Sequence, residues 1–139
     1  MQLTHVYIFT NNVKKLKDFY ETVALAVIPS KYLKISGVTR DGGETYSHIF
    51  ISLHTGGAIH ITDDIFISEN LISLSANKSV MFGFEISNIE RVYERMKNLD
   101  IEIVRPLNGE EKELRIFAFR DPDGNIIQFY ENPKKEILS

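Results

Sequence analysis

The stretch "FRDPDGNIIQFYEN", Phe119 to Asn132, decides how this chain is read. Pro122 presets φ for a turn, Asp121 can accept hydrogen bonds from the turn's own backbone, and Gly124 takes a positive φ without steric cost. Runs of β-branched and aromatic residues, "RIFAF" and "IIQFY", flank the turn. It therefore locks two antiparallel strands in one register, and its role is architectural. The same register aims Gln128. Alternate residues of a strand share a face, so Ile127 and Phe129 lie on one side and Ile126, Gln128 and Tyr130 on the other. An amide in so apolar a strand needs a partner.

Upstream, "LTHVYIF" reads as a strand and "NNVKKLKDFYETVAL" as a helix. Asn11 or Asn12 can cap that helix, and Val13, Leu16, Phe19/Tyr20 and Val23 form one stripe. Three further strands follow: "IPSKYLKIS", "TYSHIFISL" and, after the turn "HTGG", "AIHIT". The order then recurs. "VMFGFEI" is a strand, and "SNIERVYERMKNL" a helix with Asn88 as its cap and Ile89, Val92, Tyr93, Met96 and Leu99 as its stripe. "IEIVRPL", "ELRIFAFR" and "NIIQFYE" are strands. Shifting the chain by 76 residues lays Asn12 on Asn88, Val13 on Ile89, Leu16 on Val92, Tyr20 on Met96 and Val23 on Leu99. Such a match, with the same element order on both sides, points to a duplicated βαβββ unit. The expected layout is one domain over 1–139: repeat one about 1–63, a connector at 64–79, and repeat two about 80–133.

The strand faces divide in a consistent way. His5, Tyr7 and Phe9 oppose Val6 and Ile8; His60 opposes Ile59 and Ile61; Met81, Gly83 and Glu85 oppose Phe82, Phe84 and Ile86. Each strand thus has one hydrocarbon face suited to packing a helix and one mixed face. The expected fold is α+β: duplicated βαβββ modules forming a curved mixed sheet, with helices on the convex face and a concave ligand cavity.

Composition narrows the function classes. Charged residues make up 25% of 139, the formal net charge is −3, and no basic run is present, which argues against nucleic acid. There is no cysteine, so disulfides, thiolate catalysis and cysteine-type zinc sites are excluded. The longest apolar run, Val23 to Ile28, is too short to span a bilayer, and the N-terminus carries no signal-peptide pattern. A cytoplasmic protein without membrane or nucleic-acid partners is the expectation.

The duplicated order, the opening "LTHVYIFTNNVKKLKDFY" and the closing "FRDPDGNIIQFYE" together resemble the vicinal oxygen chelate superfamily. That group includes glyoxalase I, bleomycin- and fosfomycin-resistance proteins and extradiol dioxygenases. The resemblance covers nearly the whole chain and is weakest from Asp63 to Ser79. It implies metal-ligand positions on the first and last strand of each repeat, here His5, His60, Met81 and Gln128. His, Glu or Gln usually stands at those positions, with a carboxylate commonest in the last strand. This chain has Gln128 there, and Met81 where a histidine is usual.

His5, His60 and Gln128 are thus weak metal candidates. They bring no negative charge, whereas hard cations favour oxygen anions and a non-haem iron site takes two histidines and a carboxylate. Glu85 is four residues beyond Met81, ~13 Å along the strand. No cofactor is therefore expected, with a divalent metal as the alternative. The leading reading is a metal-free small-molecule binding protein of the bleomycin-resistance type for a planar, aromatic or apolar ligand. Its candidate ligand-binding residues are His5, His48, Phe50, His60, Met81, Phe117, Phe119, Gln128 and Tyr130; on the bland account of the same residues, His60 paired with Gln128 would satisfy both without any ion. The alternative is a metal-dependent lyase or dioxygenase with an atypical His5/His60/Gln128 site, in which His60 or Glu85 would move the proton. A third reading is a scaffold with a filled cavity. The resemblance also implies a homodimer, for which "IFISENLISL" is a candidate interface element.

Overall fold

The computed structural model describes residues 5–52, 57–63, 81–110 and 113–132. The chain divides into two compact units, residues 1–75 and 76–139. The expected connector beyond Asp63, the turn residue His54 and the candidate interface segment lie outside the described residues.

In the first unit, β1 (His5–Phe9) leads to α1 (Val13–Val27), then β2 (Lys34–Thr39), β3 (Tyr46–Ser52) and β4 (Ala58–Thr62). The second unit runs β5 (Phe82–Glu85), α2 (Ile89–Lys97), β6 (Ile103–Asn108), β7 (Arg115–Arg120) and β8 (Ile126–Glu131). The sheet orders are β1-β4-β3-β2 and β5-β8-β7-β6. In each, the first and last strands of the unit pair in parallel and the other pairs are antiparallel. Two four-stranded mixed sheets of one topology are thus built from one βαβββ order.

Helix α1 forms because Val13, Leu16, Tyr20, Val23 and Ala26 recur at helical spacing and are all buried. Asn12 Oδ1 accepts the Lys15 N–H at 3.1 Å and caps the start. The helix stops at Ile28, whose extended backbone (φ −122, ψ 150) suits the residue before Pro29. The apolar stripe packs on β3 and β4, where Ile49, Ile51, Ile59 and Ile61 share one face. Each such side chain contributes about 1.5–3 kcal/mol through burial.

The second unit repeats this plan with aromatic residues. Ile89, Val92 and Met96 are the buried stripe of α2. Below them, Phe129 stands between Phe84, Phe117 and Phe119, with ring centroids 6.0, 5.7 and 5.0 Å away. Tyr93 of α2 meets Phe117 edge-on at 5.0 Å. Two helix expectations need correction. Leu99 does not extend the stripe: α2 ends at Lys97, Asp100 has a positive φ of 57°, and Leu99 is 43% exposed. Asn88 holds the cap position with a left-handed φ of 56°, but its side chain makes no capping bond. Glu131 of β8 supplies the carboxylate instead, accepting the N–H groups of Asn88 at 2.7 Å and Ile89 at 3.4 Å.

The Asp121–Asn125 turn follows its sequence reading. Asp121 Oδ1 accepts the N–H groups of Asp123 and Asn125 at 2.9 and 2.8 Å, and Oδ2 accepts the Asn125 amide at 2.9 Å. Gly124 has φ +90°. Strand β6 is irregular for a local reason. Pro106 has no N–H to donate, and the β6–β7 register shifts on either side of Arg105 at this sheet edge.

Candidate functional site

Opposite the helix, the first unit presents a histidine-rich face. The parallel β1–β4 register sets Tyr7 beside His60, and the antiparallel β3–β4 register sets Phe50 on the other side of His60 and His48 beside Thr62. His60 is therefore flanked by two aromatic residues from neighbouring strands. The Tyr7 ring stacks on it at 4.5 Å and 30°, and Phe50 meets it edge-on at 4.7 Å. Phe50 stacks in turn on His48 at 4.3 Å.

Three imidazoles are joined in series. His5 Nδ1 lies 2.7 Å from His60 Nε2, and His60 Nδ1 lies 2.9 Å from His48 Nε2. Both nitrogens of His60 are thus engaged by imidazoles. His60 is only 5% exposed, whereas His5 is exposed and Tyr7 is 51% exposed. Burial holds the His60 pKa below the usual imidazole value, and the neighbouring His48 and His5 push it the same way.

This geometry is a poor fit to a metal site. Two imidazole nitrogens sharing a tetrahedral ion at ~2.0–2.1 Å would stand roughly 3.3 Å apart; 2.7 Å is a hydrogen-bond distance. The nitrogens of His60 also address opposite ring edges, so His5, His60 and His48 form a chain and do not converge on a point. Among the described residues, no group of three or more His, Asp or Glu is placed to hold a metal ion. The described residues of this face include no carboxylate, and Lys34, opposite Ser52, is its charged side chain.

In the second unit, β8 places Gln128 between Gly83 of β5 and Ala118 of β7. Gln128 and Tyr130 are half-buried, Met81 stands exposed just before β5, and Glu85 is exposed opposite Tyr130. Phe117 and Phe119 need correction as ligand-lining residues. They pair with Phe129 and Ile127, share the helix-packed face, and are 0% exposed. The residue missed was Tyr7. Its alternation with His5 was legible, but its place beside His60 depends on a pairing between strands far apart in sequence.

No helix among the described residues is long and apolar enough to cross a membrane. Residues 2–129 match the family described as Glyoxalase/Bleomycin resistance protein/Dioxygenase superfamily. The uncharacterized protein YraH of Bacillus subtilis (strain 168) is 24% identical over 134 residues, covering 94% of this chain and 98% of that one. Two solved structures are similar in fold. The genomically encoded fosfomycin resistance protein FosX from Listeria monocytogenes matches with a TM-score of 0.68 at 17% identity, over 98% of this chain and 97% of its own. TnmS3, an antibiotic binding protein from Streptomyces sp. CB03234, matches with a TM-score of 0.66 at 15% identity, over 95% and 96%.

Proposed function

Because the chain belongs to the glyoxalase/bleomycin resistance protein/dioxygenase superfamily, we propose that it is a small-molecule binding protein that works without a resident metal. The observation that carries this reading is the state of His60. Each of its nitrogens has an imidazole partner, and Tyr7 and Phe50 flank it on a face whose described residues include no carboxylate. Such a face offers aromatic surface for stacking and imidazole edges for orientation. An aromatic ligand would lie against the exposed Tyr7 ring and meet His5 at its edge. The antibiotic-binding protein among the similar structures supports a binding role for this fold.

Two measurements test the reading. In a thermal-shift screen of planar aromatic compounds, ligands at about a hundred times their Kd should add about 2.7 kcal/mol of apparent stability. The gain should shrink in Tyr7→Ala. Equilibrium dialysis against Ni²⁺, Mn²⁺, Fe²⁺ and Zn²⁺ should show no stoichiometric uptake. Tight uptake abolished in a His5→Ala/His60→Ala variant would overturn the reading in favour of the metal-dependent lyase or dioxygenase. The family resemblance further supports a homodimer of about 32 kDa, twice the 16.0 kDa chain. Light scattering at micromolar concentration checks it, and a single-chain mass would refute it.

A further inference from the structure

We infer that Lys34 selects the ligand: the face of the first unit takes a flat aromatic acid, its ring held beside Tyr7 and His5 and its carboxylate on the Lys34 ammonium. This names the ligand class for the binding reading above and rests on it.

Strand register arranges this face in rows. His5, Ala58, Ser52 and Lys34 form one row, running from β1 through β4 and β3 to β2. Tyr7, His60, Phe50 and Ser36 form the next. The first row has long side chains at its ends and only an alanine and a serine between them. The second row stands beside it with three consecutive rings. Among the described residues, the two rows therefore make a trough. Ala58 and Ser52 floor it, His60 and Phe50 wall one side, and His5 and Lys34 border its ends. Neighbouring strands are ~4.8 Å apart, so the two ends are roughly 14 Å apart at the backbone. A lysine side chain turned inward leaves that gap about the length of a two-ring system.

The trough is accessible and its wall is aromatic. His5, Ser52 and Lys34 are exposed, and Tyr7 is 51% exposed. His48 stacks on one side of the Phe50 ring at 4.3 Å, so the other side of that ring is turned toward the row of Ser52 and Lys34. Phe50 and Lys34 are diagonal neighbours, roughly 7–8 Å apart, a separation that a long side chain spans.

Charge decides the ligand class. Among the described residues of this face there is no carboxylate, and Lys34 is its one lysine or arginine. Lys14, Lys17 and Lys97 each have a carboxylate within 3.0 Å. The Lys34 ammonium has no ion pair or hydrogen bond among the described residues. An ammonium offers three donors and no acceptor, so an anion is the group that satisfies it, and the Ser52 hydroxyl next to it can donate to the same carboxylate. A neutral ligand leaves the cation to water, and a cationic ligand is repelled. An exposed ion pair adds little to affinity. Ring contacts therefore supply most of the binding, and Lys34 supplies the choice between ligands.

The test uses the full chain and two probes of one shape, 2-naphthoate and the uncharged ketone 2-acetylnaphthalene. The readout is the ratio of their Kd values at neutral pH and about 0.1 M salt, where a screening length of ~10 Å mutes charges elsewhere on the chain. Lys34→Ala should shift the ratio about fivefold toward the ketone, Lys34→Glu should shift it further, and Lys34→Arg should hold it. Lys15→Glu makes the same change of charge at an exposed position on α1, on the other side of the sheet, and should leave the ratio as it is. In the wild type the preference for 2-naphthoate should shrink as salt rises from about 0.01 to 1 M. A ratio unmoved by Lys34→Ala, or moved as far by Lys15→Glu as by Lys34→Glu, overturns the role of Lys34 and leaves the binding reading standing. If neither probe binds, the binding reading falls and this inference falls with it.

Discussion

His60 and Gln128 hold matching places in the two units. Each is on the last strand of its unit, opposite the helix, between the first strand and the third. Their neighbours differ in size. His60 lies between Tyr7 and Phe50, while Gln128 lies between Gly83 and Ala118. A Cβ added at Gly83 would meet only Tyr130 Cε1, at 4.0 Å. One topology therefore carries one central polar group clamped by aromatic rings and another bordered by small residues. The hydrocarbon faces differ too, with isoleucine stacked on α1 in one unit and phenylalanine on α2 in the other. The fold needs a helix-side face of matched volume. It leaves the opposite face to vary, and the chemistry of the two units diverges on that face.

The comparison breaks most visibly on the helix side. Phe117→Ala should lose about 3–5 kcal/mol and Ile61→Ala about 2–5 kcal/mol in urea unfolding, because each empties a fully buried volume. If Phe117→Ala kept wild-type stability and lost only ligand, its assignment to the core would be wrong. The two central polar groups come next. His60→Ala removes the middle of a hydrogen-bonded series and should lose about 1–3 kcal/mol. Gln128→Ala at the roomier position should lose less than about 1 kcal/mol, and equal losses would erase the contrast.

His60 also makes the comparison sensitive to pH. Its folded pKa lies below the unfolded imidazole value, so below that value the unfolded chain binds the proton before the folded chain does. Its contribution is fully present above the unfolded pKa and is lost as pH falls through the folded pKa. The melting temperature of the wild type should drop over that window more steeply than that of His60→Gln, and parallel curves would refute the assignment.

The helix caps differ by about the worth of one cap. Asn12→Ala and Glu131→Ala should each lose about 1 kcal/mol, whereas Asn88→Gly should fall well short of that, because the Asn88 side chain makes no capping bond and glycine keeps the left-handed backbone. The smallest change expected is in Gly83→Ala, a gain of about 0.5 kcal/mol from reduced unfolded-state freedom in an open site, read as a small rise in urea midpoint. A loss there would mean that the niche beside Gln128 is tighter than its geometry implies.

Much of this was legible in the residues. The βαβββ order, the Asn12 cap, the α1 stripe and the Asp121 turn are local features, written in periodicity and turn chemistry. Phe117 and Phe119 were misread because "RIFAFR" is apolar on both faces, so alternation could pair them with each other but could not say which face met the helix. Leu99 and Asn88 matched their counterparts by position, yet α2 has 9 residues where α1 has 15, and it draws its cap from Glu131, a residue 43 positions away.

The sequence by itself determined the elements, the family and the partition of each strand into two faces, because these depend on contacts within a few residues. The tertiary structure alone decided that His5, His60 and His48 form one hydrogen-bonded series beneath Tyr7 and Phe50. That arrangement needs three strands in a particular parallel and antiparallel register, and a register shift of one residue would send each ring to the opposite face.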